Sequence, residues 1–236
     1  QQAHDLIQQS LQVAPGFAAY NNLGHVFRAA GRLDDALACF DRAAQREPNH
    51  PDSFSSAATL LIAAGKHDLA VPALQRLVQI QPRHLRAHML LGVSLAELRY
   101  FERAVAAFND HLNINPTDAE AFGRKSVALI TLNRVDDAIA SATTALRLAP
   151  DRAEAHNNMG WILDRAGRLG EAEPHYRRAM ELQPDYAHPH GSIGEALAMK
   201  GAWTEAIASY QKCLAGNIGP RLTVYMHREL ARAYAA

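Results

Sequence analysis

The chain has 236 residues, carries 24 basic and 24 acidic side chains with no net charge, and is 48% hydrophobic and 20% charged. That is the composition of a folded rather than a disordered protein. It excludes a nucleic-acid binder that works through a basic surplus, and no apolar run nears the ~18 residues of a membrane-spanning helix. Two cysteines, Cys39 and Cys213, build no disulfide framework, and the preference for Arg over Lys with abundant Ala points to a GC-rich, bacterial genome.

At about 100–200 residues per domain, this length suggests one or two globular domains, but the prolines argue for a repeat. Pro48, Pro82, Pro116, Pro150 and Pro184 stand 34 residues apart, and Pro15 precedes Pro48 by 33. With the proline as position 32, residues 1–16 form the second helix of a truncated repeat. Full repeats follow at 17–50, 51–84, 85–118, 119–152 and 153–186. A sixth spans 187–223 with a turn-rich insertion at residues 216–220, and residues 224–236 form the first helix of a truncated or capping repeat. The ragged ends suggest a piece of a longer protein, or else terminal helices that act as caps, and the apolar residues Leu6, Ile7, Leu11 and Val13 suggest a neighbour, a missing helix or self-association at that end.

Within each repeat the columns carry physical meaning. Position 20 is Ala36, Ala70, Ala104, Ala138, Ala172 and Ala206. Position 8 is always small (Gly24, Ala58, Gly92, Ser126, Gly160, Gly194), and position 11 is large and apolar, from Phe27 to Leu197. Positions 4, 8 and 11 share one face of a helix, and positions 20, 24 and 27 share one face of a second. Small residues at 8 and 20 let the helices approach while bulky ones at 24, such as Phe40, Phe108, Tyr176 and Tyr210, fill the space. Gly31, Gly65, Gly167 and Gly201 at position 15 suit a left-handed helix end; acids at position 18 favour the next helix start, and the proline ends it. Pro72 and Pro174 fall early in second helices, where a lost donor is tolerable.

The pattern resembles the tetratricopeptide repeat, most closely at Asn21-Asn22-Leu23-Gly24 with Phe27 and at Asn157-Asn158-Met159-Gly160 with Leu163. The resemblance covers nearly the whole chain and implies an all-α, right-handed superhelical solenoid of antiparallel helix pairs. It also implies a concave groove lined by first-helix positions 2, 5, 6, 9, 12 and 13. The expected groove residues are Asn21, Asn22, His25, Ser56, Ile62, Met89, Leu90, Val93, Arg124, Val127, Ile130, Asn157, Asn158 and Trp161. Asp164, Arg165, His188, Ser192 and Glu195 occupy the same face. Its middle is apolar, and an apolar stripe rimmed by polar groups suggests a surface that buries part of a peptide or protein; irregular packing that buries these side chains is the competing reading. Asparagine amides can both donate to and accept from a ligand backbone.

The expected function is a protein-interaction scaffold without catalysis, metal or cofactor, and without nucleic acid or membrane insertion. One alternative is the substrate-recruiting arm of a larger enzyme, since the Asn-Leu-Gly repeats also resemble the array of O-linked N-acetylglucosamine transferases; another is a self-assembling scaffold. The chaperone-tail clamp of the family is not expected, because Asn21 and Asn22 lack matching lysines and Leu90 fills a clamp column. His88, His156 and His190 at position 4 are read as packing residues, and Glu171 with His175 as a surface pair. The expected compartment is the cytoplasm, with the periplasm as alternative.

Overall fold

The computed structural model describes residues 16–216 and 218–235; the helix expected over residues 1–16 lies outside this region apart from Gly16. The chain divides into two compact units, Gln1–Asn115 and Pro116–Ala236. Among the described residues all regular structure is helical. The first unit holds three helix pairs: α1 (Phe17–Ala29) with α2 (Leu33–Arg46), α3 (Pro51–Ala63) with α4 (His67–Ile80), and α5 (Leu85–Glu97) with α6 (Phe101–Ile114). The second holds α7 (Ala119–Thr131) with α8 (Val135–Leu148), α9 (Ala153–Arg165) with α10 (Leu169–Leu182), α11 (Ala187–Met199) with α12 (Trp203–Ala215), and α13 (Gly219–Ala235).

The helices of a pair are held together where the small residue at position 8 meets the large one at position 24. A Cβ placed on Gly24, Gly92, Gly160 or Gly194 would lie 2.6, 2.5, 2.7 and 2.6 Å from the rings of Phe40, Phe108, Tyr176 and Tyr210. Each ring is buried to within 1%. Where position 8 gains a Cβ the partner shrinks, giving Ala58 with Leu74 and Ser126 with Ala142, all buried. Volume is thus conserved across the seam, as close packing demands.

Each pair turns through one left-handed residue at position 15. Gly31, Gly65, Gly167 and Gly201 have φ of 72°, 70°, 76° and 75°, and Arg99 and Asn133 take up the same conformation at 64° and 60°. The amide at position 16 then donates to the carbonyl at position 11, as from Arg32 to Phe27 at 2.9 Å, Tyr100 to Leu95 at 2.8 Å and Ala202 to Leu197 at 2.9 Å. This is the Schellman arrangement, in which the left-handed residue lets an amide satisfy a carbonyl of the last helical turn. The turn is therefore kept at Arg99, where the glycine is missing.

Several details depart from the sequence reading. The repeat-end prolines sit inside turns that follow the helix. The His84 amide donates to Gln81 O at 3.0 Å and the Tyr186 amide to Gln183 O at 3.0 Å, which puts Pro82 and Pro184 at the second turn position, where a fixed φ is favoured. The position-4 histidines do more than pack. Nε2 of His88, His156 and His190 lies 2.9, 2.9 and 3.2 Å from the carbonyls of Pro82, Pro150 and Pro184. A carbonyl only accepts, so each Nε2 carries the proton. Pro72 and Pro174 occupy the sixth positions of α4 and α10, past the four amides that lack intrahelical acceptors; each removes a bond that the helix would otherwise make. Glu171 pairs with Arg168 through two contacts of 2.7 Å, while His175 places Nδ1 3.1 Å from Nδ1 of His156. Finally, α13 begins at Gly219, ahead of the expected Val224, because Pro220 falls in its first turn, where a proline costs no intrahelical bond.

Two predictions follow from the seam and the turn. Gly92→Ala forces a Cβ into the Phe108 ring and should lower stability by ~1–3 kcal/mol. Phe108→Leu in the same chain, which recreates the Ala58–Leu74 combination, should recover more than half of that loss in a denaturant titration. Gly65→Ala should cost about 1 kcal/mol, because a Cβ is disfavoured in the left-handed region. Arg99→Ala, where a side chain already occupies that conformation, should change stability by less than about half as much on the same principle.

Candidate functional site

The expected groove residues separate into three groups. Some are committed to packing. Asn21 and Ile130 are buried, at 8% and 3% exposure, so neither presents its side chain to a ligand as expected. Ile130 holds groove position 12 but is buried, whereas its counterpart Ile62 is half-buried. Ile62, Met89, Leu90 and Val93 are half-buried and pack against the core built around Leu74, Leu91, Leu95 and Phe108. The apolar stripe of the first unit thus spends much of its surface on its own core.

A second group is engaged with neighbouring polar side chains. His25 Nε2 lies 3.4 Å from the Ser56 hydroxyl and its ring meets Phe40 edge-on at 5.2 Å, linking α1 to α3. Burial, followed by the Arg28 charge, lowers the His25 pKa. Asn22 is exposed. Arg124 Nε donates to Glu120 at 2.8 Å; Arg152 reaches the other Glu120 oxygen at 3.4 Å and Glu154 at 2.8 Å. Burial works to raise the Glu120 pKa, but the two guanidinium groups outweigh it and hold it below its ordinary value.

The third group converges. Val127 on α7 and Asn157, Asn158 and Trp161 on α9 line a cleft of about 450 Å³ in the second unit. Asp164 and Arg165 continue the α9 wall, His188, Ser192 and Glu195 come from α11, and Leu222, Tyr225 and Met226 come from α13. Two glycines shape it. A Cβ on Gly123 would meet the Asn158 amide nitrogen at 3.3 Å, so α7 offers a bare backbone beneath that amide. A Cβ on Gly191 would lie 3.0 Å from Met226 Sδ and 3.1 Å from Cys213 Sγ, so Gly191 lets α13 close the far end. Sequence reasoning assigned nothing to Leu222, Tyr225 or Met226. Extending the face positions one repeat further, with Val224 as position 1, would have marked Tyr225 at position 2.

The electrostatics of this cleft are unusual for an exposed helix face. Burial raises the Asp164 pKa, with Arg165 offsetting only part. Burial also raises that of Glu195; the Tyr225 hydroxyl counters it, while Asp164 and Glu229 add repulsion. Neither carboxylate has a cation within salt-bridge distance among the described residues. His188 is pushed down by burial and so stays neutral at pH 7. The Arg165 guanidinium lies 6.0 Å from the Trp161 ring centroid. Behind this corner the Tyr176 hydroxyl is fully buried without a partner in hydrogen-bond geometry. Burial raises its pKa well above the ordinary phenol value, and Ser192, Asp164 and Glu195 are the groups that act on it. Cys39 and Cys213 are buried thiols whose pKa values burial raises, the opposite of an activated nucleophile.

A tetratricopeptide repeat pattern matches residues 17–50, 56–119, 124–187 and 171–219. The chain belongs to the tetratricopeptide repeat family. No curated protein matches its sequence significantly. Among solved structures it is similar to YrrB, described as a tetratricopeptide protein with an unusual peptide-binding site, at 18% identity and a TM-score of 0.68 over 79% of this chain and 97% of that one. It is similar to MamA of Desulfovibrio magneticus RS-1 at 21% identity and a TM-score of 0.66, over 72% of this chain and 96% of that one. It also resembles a chain of the APC/C Cut9–Hcn1 hetero-tetramer at 16% identity and a TM-score of 0.70, covering 98% of this chain but 45% of that one. These likenesses show a shared all-α tetratricopeptide fold. Among the described residues no helix is long and apolar enough to cross a membrane.

The raised carboxylates make a stability prediction. Unfolded Asp and Glu titrate near ~3.9 and ~4.3, and the fold raises both groups above those values. Their ionised forms therefore oppose folding at pH 7, and that opposition fades as the pH falls through the folded pKa values. Asp164→Asn with Glu195→Gln should melt at higher temperature than the parent at pH 7, and the advantage should vanish near pH 4. Equal melting at both pH values would show that the cleft does not strain its acids.

Proposed function

We propose that the tetratricopeptide array is a non-catalytic protein-interaction module whose second unit holds an extended peptide segment in the α7–α9–α11–α13 cleft. The observation that carries this reading is the convergence of Val127, Asn157, Asn158 and Trp161 on one cavity of about 450 Å³. That volume lies within the ~300–1,000 Å³ of ligand sites. The two amides supply donors and acceptors for a peptide backbone, whose own groups alternate. Trp161 supplies a large apolar face of the kind that dominates binding energy at interfaces. The tetratricopeptide fold shared with YrrB, itself described as peptide-binding, supports the same reading.

The test is selection of peptides from a random display library on the 236-residue protein. Their affinities are then measured by fluorescence anisotropy. Asn158→Ala and Trp161→Ala should each weaken the selected peptides by about tenfold, close to 1.4 kcal/mol. Asn22→Ala, on the first unit, should leave affinity unchanged. Thermal melts check that the variants fold. Peptides that bind the parent and both cleft variants equally would overturn the assignment of the cleft.

A further inference from the structure

The cleft has a chemically distinct corner. Asp164 and Glu195, neither with a salt-bridge partner among the described residues, line it together with Trp161 and Tyr225, and the Asp164 charge and the Tyr225 hydroxyl both act on Glu195. Resting on the peptide-binding reading of the same cleft, we propose that this corner is a specificity pocket for an arginine side chain of the bound peptide, clamped between the two carboxylates and stacked on Trp161.

Four observations point to a cation, and to guanidinium in particular. The two acids lie in one cavity with apolar walls from Val127, Leu222 and Met226, where the lower dielectric strengthens an ion pair. Burial lowers the pKa of the one histidine of the lining, His188, and so disfavours its cationic form. The protein already seats a guanidinium near this indole, since Arg165 sits 6.0 Å from the Trp161 centroid, at the outer limit of a cation–π contact. Arg165 is itself exposed and offsets only part of the burial effect on Asp164. Behind them the buried Tyr176 hydroxyl adds a polar group on which Ser192, Asp164 and Glu195 all act.

Arginine fits better than lysine for geometric reasons. Its planar fork presents five donors, enough to bond two carboxylates at once, and its flat face stacks on an aromatic ring. An ammonium is a compact, strongly hydrated charge that must shed more water to enter an apolar cavity. An acidic or phosphorylated segment is disfavoured, because its charge would face both carboxylates.

The experiment uses synthetic versions of the display-selected peptides on the intact 236-residue protein. Each arginine is replaced in turn by citrulline, which keeps the shape and removes the charge, and by lysine. In the parent one arginine-to-citrulline change should weaken binding by about tenfold or more, the size of a desolvated charged contact, with lysine intermediate. In the Asp164→Asn, Glu195→Gln double variant the same change should alter affinity less than about twofold, giving a clear coupling in the double-mutant cycle. Selected peptides that need Asn158 and Trp161 but lack a required arginine would overturn the arginine pocket and leave the peptide cleft standing. So would a citrulline penalty that survives in the double variant. Failure of any peptide to depend on Asn158 or Trp161 would remove both readings together.

Discussion

The close approach of the two helices at position 8 is the contact on which the rest of the structure depends. In four repeats it is a glycine pressed against an aromatic ring, with no room for a single added carbon. A ring buried this completely contributes on the order of 2–3 kcal/mol through burial alone, and it does so only if the facing helix presents no side chain. That requirement sets the helix separation. The separation in turn fixes a turn short enough to need one left-handed residue. Once the turn is fixed, the position-16 amide falls on the position-11 carbonyl, and the same apolar residue that packs the first helix also accepts the bond that ends it.

The same logic explains why so much of the fold could be read from the sequence. The contacts that define a repeat join residues within it, and six copies present the same columns side by side. Where a column changes, its partner changes with it, as Ala58 with Leu74 and Ser126 with Ala142. Less legible were features that one residue type can serve in two ways. A histidine at position 4 reads as an aromatic-sized packing group, yet its ring nitrogen finds the proline carbonyl six residues earlier. Arg99 reads as a lost glycine, yet the neighbouring contacts hold it at φ 64°. The turn-rich stretch 216–220 reads as a connection before a helix at Val224, yet α13 already starts at Gly219, because Pro220 in the first turn has no bond to break.

The candidate cleft is only partly legible for a related reason. Register states which side chains point away from the packed seam; it does not state which of them meet. Asn157, Asn158 and Trp161 meet Val127 across α7 and α9, whereas Arg124, one helical turn from Val127, is drawn into a ladder with Glu120, Arg152 and Glu154. Asn21 and Ile130 hold nominal groove positions and are buried. The residues that close the cleft, Leu222, Tyr225 and Met226, come from a helix whose register is broken by the insertion.

Closure by α13 also changes the chemistry of residues that look ordinary in sequence. Asp164 and Glu195 would be solvated acids on an open helix face. In the cleft that α13 helps to line, burial raises both of their pKa values, Asp164 adds repulsion on Glu195, and Arg165 offsets only part of the effect on Asp164. Such an arrangement opposes folding at neutral pH, and it is held in place by the buried contacts of Met226 and Tyr210 nearby. Strain of this kind is characteristic of binding sites, where groups are positioned for a ligand rather than for the fold. The glycine at 191 belongs to the same device. It carries no seam ring, yet its missing side chain is what lets Met226 approach and bring α13 across the acids. The close-approach principle that builds each repeat is thus used once more, between repeats, to turn an open face into a pocket.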